Sequence, residues 1–262
     1  MKILTRYLKV WWLMSKNSFA AVLANRFGAG VFFVGKVLRF VFFLGFIFFL
    51  LKGTNTLAGY TLNQTMFFFL TFNLVDIIAQ FLFREVYRFR SLVVSGSFDL
   101  VLVKPISALF RSLMGGADIL DFFTIPPLLI AIYLMGRSLD PTGIQIFFYL
   151  ALVINSLFLA TAFHIAVISF GIITLEIDHT IMIYRDLVAL GRFPVDIYQQ
   201  PLQGILTYLI PVGIMVTLPA KALMGLVSTQ GVLLSFALGI GALLVSFRFW
   251  NFALTKYTSA SS

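Results

Sequence analysis

Five acidic side chains and two histidines stand at spacings from which chemistry can be built. Glu176 and His179 are one helical turn apart, with Asp178 between them and His164 further back. A metal site wants ligands on one helix face at that spacing, yet no second histidine joins unless His164 reaches across a turn. A polar turn between two helices is the simpler reading. Asp118 and Asp121, again a turn apart, form the kind of pair that binds a metal or relays protons, and an acid in a membrane segment is functional by default. Their place at the start of an apolar segment equally suits the positive end of a helix dipole. Asp76 and Gln80, four residues apart and deeper in an apolar segment, face a bundle interior, in a helix-to-helix hydrogen bond or a substrate contact. Gly30, Gly35 and Lys36 match the spacing of a phosphate loop, but Val37 stands where Ser or Thr must hold magnesium, and no strand precedes it. Gly-x-Ser-x-Gly is absent and cysteine is absent, so neither a serine elbow nor a thiolate is available. The residues imply no enzyme, no cofactor and no metal; if ATP drives this protein, the ATPase is another chain.

The elements that hold these residues follow from composition. Of 262 residues, 60% are hydrophobic, 11% are charged and 31 are phenylalanine. Ordinary globular chains carry about 25% charged residues, so polar surface is too scarce for a water-soluble body. A bilayer needs about 20 apolar residues per helical crossing, and the composition predicts an all-α polytopic membrane protein. The net charge of +9 is scattered between apolar blocks, which marks loops facing an anionic leaflet rather than a nucleic-acid surface.

Residues 1–30 read as a cytoplasmic leader. Lys9 and Lys16 interrupt any apolar signal region. On a helix Lys2, Arg6, Lys9 and Lys16 share a face, broadly opposite Leu4, Tyr7, Leu8, Trp11 and Met14, the pattern of an amphipathic helix lying in the membrane interface. Crossings are expected over residues 32–51, 65–83, 113–135, 144–174 and 232–250. Lys36 and Arg39 would snorkel toward the side of the leader. Ser235, Gly239, Ala242 and Ser246 form a small-residue stripe that serves a subunit interface or packing within the chain. The Ser/Ala tail from Thr258 reads as a disordered end. Phenylalanines in the helices face lipid or neighbouring helices rather than an aromatic substrate.

With the amino terminus inside, the leader and first crossing hold seven bases, the stretch 84–111 five, and the carboxyl tail two, against Lys52 and Arg137 outside. The positive-inside rule then places both termini in the cytoplasm, which requires an even number of crossings. Six fits the length. The fifth is open: hydropathy favours residues 205–223, whereas residues 176–190 are more charged but would leave a proline-broken re-entrant hairpin behind them. Non-helical backbone at membrane depth needs shielding by protein or a wet cavity.

Two stretches carry a resemblance: Ser95-Gly-Ser-Phe-Asp-Leu-Val-Leu-Val-Lys-Pro105 running to Phe110 and Arg111, and Gly191-Arg-Phe-Pro-Val-Asp-Ile-Tyr198 continuing through Pro211 to Pro219. In this order and with these gaps the chain resembles the membrane-spanning permease subunits of type-2 ATP-binding-cassette exporters, in a bacterial branch of family transporter proteins. The resemblance covers essentially the whole of residues 1–262 as a single permease domain. It implies an inner-membrane exporter with six helices, a second permease copy or related permease, membrane lipid around it, and a separate ATPase subunit. The loop 84–111 would be the coupling element, with Arg84, Arg88, Phe98, Leu100, Val103, Lys104 and Pro105 as docking residues. Residues 191–225 would form the outer re-entrant region, which selects 176–190 as the fifth crossing. Asp76, Gln80, Asp118, Asp121, Phe193 and Pro194 would line the pathway or an interface. The competing reading is a stand-alone carrier or lipid-handling protein coupled to an ion gradient through Asp76, Asp118 or Asp121.

Overall fold

A helix in hydrocarbon satisfies its own backbone hydrogen bonds, and this chain uses that solution throughout. The computed structural model describes residues 2–54, 56–174 and 176–258; the side chain of Lys2 and most of the Ser/Ala tail lie outside the described residues. Helix α1 spans Lys2–Ala24, α2 Arg26–Thr54 and α3 Leu62–Phe83. A 3-10 turn, Arg84–Arg88, leads into three short helices, α4 Phe89–Val94, α5 Ser97–Leu102 and α6 Ala108–Leu113. Then come α7 Ile119–Arg137, α8 Gly143–Thr174 and α9 Ile177–Ala189. A bent pair of helices, α10 Leu202–Leu209 and α11 Gly213–Leu223, precedes α12, Thr229–Lys256.

Local chemistry sets the boundaries. Thr61 and Gln64 form a reciprocal capping box at α3, the Thr61 N–H donating to Gln64 Oε1 at 2.9 Å. Asp118 caps α7 by accepting from the Leu120 N–H at 2.8 Å. Ser228 does the same for α12, from the Gly231 N–H at 3.1 Å. The third crossing was expected from residue 113, but helix α6 stops at Leu113 and α7 begins at Ile119. Gly115 lies in the gap, where a Cβ would crowd the paired side chains of Arg111 and Glu85. Gly96, at φ 70°, makes the left-handed corner between α4 and α5.

Among the described residues five helices are long and apolar enough to cross a membrane: α2, α3 with its continuation to Val94, α7, α8 and α12. The apolar stretch favoured by hydropathy as a fifth crossing is not a straight helix, since α10 and α11 meet at 77°. Helix α9 has 13 residues, about 20 Å at 1.5 Å per residue, short of the roughly 30 Å hydrocarbon thickness. Two contacts nevertheless mark its course. Asp178 at its start pairs with Arg90 of α4 at 3.6 Å, and Asp196 just beyond it accepts from Tyr60, in the α2–α3 connection, at 3.0 Å. The chain therefore passes from one end of the bundle to the other between residues 178 and 196. Asp196 also receives Gln203 at the start of α10 and Lys221 near the end of α11, so both ends of the bent pair are tied to one carboxylate.

The core runs along α3 and α8, where Phe67, Phe68, Leu152, Leu159, Ile165 and Ile168 are buried. The small-residue stripe of α12 packs within the chain. Asn155 of α8 donates to the Ser235 carbonyl at 2.9 Å, and Gly239 lies directly against the Asn155 side chain. Gly241, two residues on, faces open space. Gly239→Leu should therefore lower the unfolding temperature in mild detergent, overpacking costing about 1–3 kcal/mol, while Gly241→Leu leaves it unchanged.

Candidate functional site

Two regions gather the residues singled out by sequence. The first is a cavity of about 250 Å³ enclosed by α2, α3, α7 and α9. Phe40 and Phe43 of α2 and Phe69 and Phe72 of α3 form its apolar wall. Phe43 stacks on Phe69 with ring centres 4.4 Å apart. Asp76 and Gln80 line it from α3, joined by a 2.8 Å hydrogen bond from Gln80 Nε2 to Asp76 Oδ2. That bond lies within one helix, so it does not bridge helices as one sequence reading expected.

Asp121 lines the same cavity from α7 and is 2% exposed. Lys36 of α2 donates to it at 2.5 Å. Lys36 was expected to snorkel; a buried carboxylate within reach holds it in the bundle, because an unpaired charge there is costly. Asp118, by contrast, does sit at the helix start, capping α7 and pairing with Arg84 at 3.4 Å. Phe193 packs on Phe43 and Phe46, and the residues around Pro194 run between α2 and α11, where the Val195 N–H donates to Thr217 Oγ1 at 3.1 Å. Three cavity residues were missed in sequence: Arg39, Arg185 and Arg192. The signal was present for two of them, since positions seven apart on one helix lie on one face.

The second region is the connection 84–111. Glu85, buried, receives Arg111 at 2.6 Å and Arg88 at 4.0 Å. Phe98 was expected on the docking surface, but it is 0% exposed and packs edge-on against Phe89, Trp250 and Tyr257. It organises the loop from within. Tyr257 donates to Asp99 at 2.9 Å; burial and the neighbouring carboxylate push its hydroxyl pKa up to about 12. Leu100 and Val103 do point outward, 63% and 79% exposed, beside exposed Lys104 and Pro105. Helix α1 is fastened to the same loop: Arg6 donates to the Pro105 carbonyl at 2.9 Å, the Ser107 N–H to Tyr7 Oη at 3.1 Å, and the Ala117 N–H to Ser15 Oγ at 3.2 Å.

The remaining candidates are apart from both regions. Glu176 and His179 contact each other at 2.7 Å on the surface, while His164 is buried among Phe83, Tyr87 and Tyr184 with Nδ1 2.7 Å from the Ala160 carbonyl. Among the described residues no group of three metal-ligating side chains forms. The phosphate-loop lookalike is continuous helix within α2.

The bundle, with its five apolar spans and no strand among the described residues, is that of an all-α polytopic membrane protein. The chain belongs to the ABC-2 family transporter proteins, whose model matches residues 37–261. It is thus a permease component of an ABC transporter, a multi-pass membrane subunit of a family without its own nucleotide-binding domain. No curated protein and no solved structure matches the chain.

The Lys36–Asp121 pair is open to direct measurement. Lys36→Met alone strands a buried carboxylate and should destabilise the detergent-solubilised protein by roughly 3–5 kcal/mol. Adding Asp121→Leu should recover most of that loss, read as a restored unfolding temperature.

Proposed function

We propose that this chain is the permease subunit of an exporter whose motor is a separate ATP-binding-cassette ATPase, docking on the loop 84–111. The observation that carries this reading is the contrast within the loop: an outward tip of Leu100, Val103, Lys104 and Pro105 on a base tied by ion pairs. A docking tip must be exposed, and a base that transmits force must be stiff. Glu85–Arg111 joins the end of α3 to α6, Arg84–Asp118 joins it to α7, and Arg90–Asp178 joins α4 to α9. Arg84 serves this base, as does Arg88 through Glu85, leaving Lys104 as the base beside the tip. Nucleotide binding to the motor would then shift the permease between two states, through its different affinity for each.

In the same reading both termini face the cytoplasm of a bacterial cell, because the leader and the loop hold most of the bases. Helix α1 lies in the interface, with exposed Leu4, Leu8 and Trp12 in lipid. The passage 178–196 completes the fifth crossing, and α10–α11 is a re-entrant hairpin on the outer side, anchored at Asp196. Burial and the adjacent Asp196 carboxylate push the Tyr60 hydroxyl far above its ordinary pKa, so it remains a donor to that anchor at any physiological pH. Two permease copies, or this chain with a related one, enclose the path.

Two results follow. Leu100→Glu with Val103→Glu should remove the ATPase from the purified complex without lowering the unfolding temperature; an intact complex rules out this docking surface. Single cysteines are simple to install because the native chain has none. Ile197→Cys and Ser228→Cys should react with an impermeant maleimide from the side opposite Val103→Cys, and labelling from one common side would refute the topology.

A further inference from the structure

The cavity between α2, α3, α7 and α9 has more positive charge than its own acids neutralise. Four bases line it, Lys36, Arg39, Arg185 and Arg192, against two carboxylates, Asp76 and Asp121. Lys36 and Asp121 cancel each other. Among the described residues, Arg39, Arg185 and Arg192 have no carboxylate within ion-pair distance, and Asp76 is bonded to Gln80. Arg185 and Arg192 lie instead about 6 Å over the rings of Tyr87 and Phe43. Arg39 and Arg185 are exposed and Arg192 is half-buried; unpaired guanidinium groups lining an apolar-walled cavity attract an anion, and their planar forks match oxyanions such as phosphate.

We propose that this cavity binds the anionic head of an amphiphile, a phosphate-type oxyanion carrying an apolar tail. The proposal rests on the permease reading and names the substrate class for its path. Three features select an amphiphile over a small soluble anion. The lining beside the arginines is aromatic, supplied by Phe40, Phe43, Phe69 and Phe72, with Arg192 over the Phe43 ring. Helix α2, which forms one side of the cavity, is the least buried of the five spans. Val37 belongs both to the cavity lining and to the exposed surface of α2, 42% exposed, so the head site runs onto an apolar face on which a tail lies. Asp76, hydrogen-bonded to Gln80 in the cavity lining, is then the competing anion that opposes an incoming oxyanion.

The test uses the full chain purified in dodecyl maltoside, without any ATPase. Dodecyl phosphate, inorganic phosphate and dodecyltrimethylammonium are titrated separately and binding is followed by the shift in unfolding temperature. Dodecyl phosphate should stabilise the protein saturably, while the other two do not. Arg39→Gln with Arg192→Gln should weaken dodecyl phosphate by about tenfold or more, the loss expected for charge-assisted hydrogen bonds. Asp76→Asn should strengthen it several-fold, and Arg137→Gln, on the α7–α8 turn, should leave it unchanged. Should the double variant not fold, Asp76→Asn and Arg185→Gln must still move affinity in opposite directions. Equal stabilisation by inorganic phosphate, equal stabilisation by the cationic amphiphile, or indifference to both arginine and Asp76 substitutions overturns the proposal. Because no motor subunit takes part, these outcomes are separable from loss of the ATPase in the docking test.

Discussion

Three carboxylates buried where the connecting segments meet the bundle, Glu85, Asp118 and Asp121, constrain the rest of the molecule. A buried acid is tolerated only with a cation or several hydrogen-bond donors around it. Each of these has found a base on another element: Arg111 on α6, Arg84 in the turn after α3, and Lys36 on α2. Those three pairings bring α2, α3, α6 and α7 to one end of the bundle and give the loop 84–111 its stiff base. A second carboxylate, Asp196, does the equivalent work at the opposite end, gathering Tyr60, Gln203 and Lys221. Between the two ends the helices associate mainly through van der Waals packing, since lipid offers no hydrophobic incentive to bring them together.

The distribution of phenylalanine follows from that arrangement. On α3, surrounded by other helices, Phe67, Phe68, Phe69 and Phe72 are buried and form part of the cavity wall and core. On α2, which touches its neighbours along a narrow stripe, Phe32, Phe42 and Phe49 face outward. The same residue type thus serves as core on one helix and as lipid contact on the next, according to how many neighbours the helix has. Phe98 belongs to neither group: it is the aromatic centre that lets six-residue helices α4 and α5 hold a defined shape.

Legibility in the sequence differed by element for physical reasons. The first four long apolar segments and the last stood out because about 20 consecutive apolar residues have few alternatives to a crossing helix. The cap at Asp118 was readable because a carboxylate at a helix start is a local feature. The course of residues 176–225 was not, since α9 is short and charged while the more apolar α10–α11 bends by 77°. Hydropathy measures only transfer to lipid, and here the charged helix has protein partners that the average ignores. Arg39 reads singly as an interfacial base, and Arg185 and Arg192 have no side assigned by charge counting, so their meeting at one cavity was not legible.

What the sequence by itself determined was the solvent, the long apolar helices and the family, all of which depend on composition, local runs or short ordered motifs. Only the tertiary structure decided which acid meets which base, that Phe98 is buried rather than exposed, and that three arginines line one cavity. Lys221 and Asp196 are 25 positions apart, Arg111 and Glu85 26, and Lys36 and Asp121 85. At such separations charge type says that a partner is needed, while helix packing alone determines which one arrives.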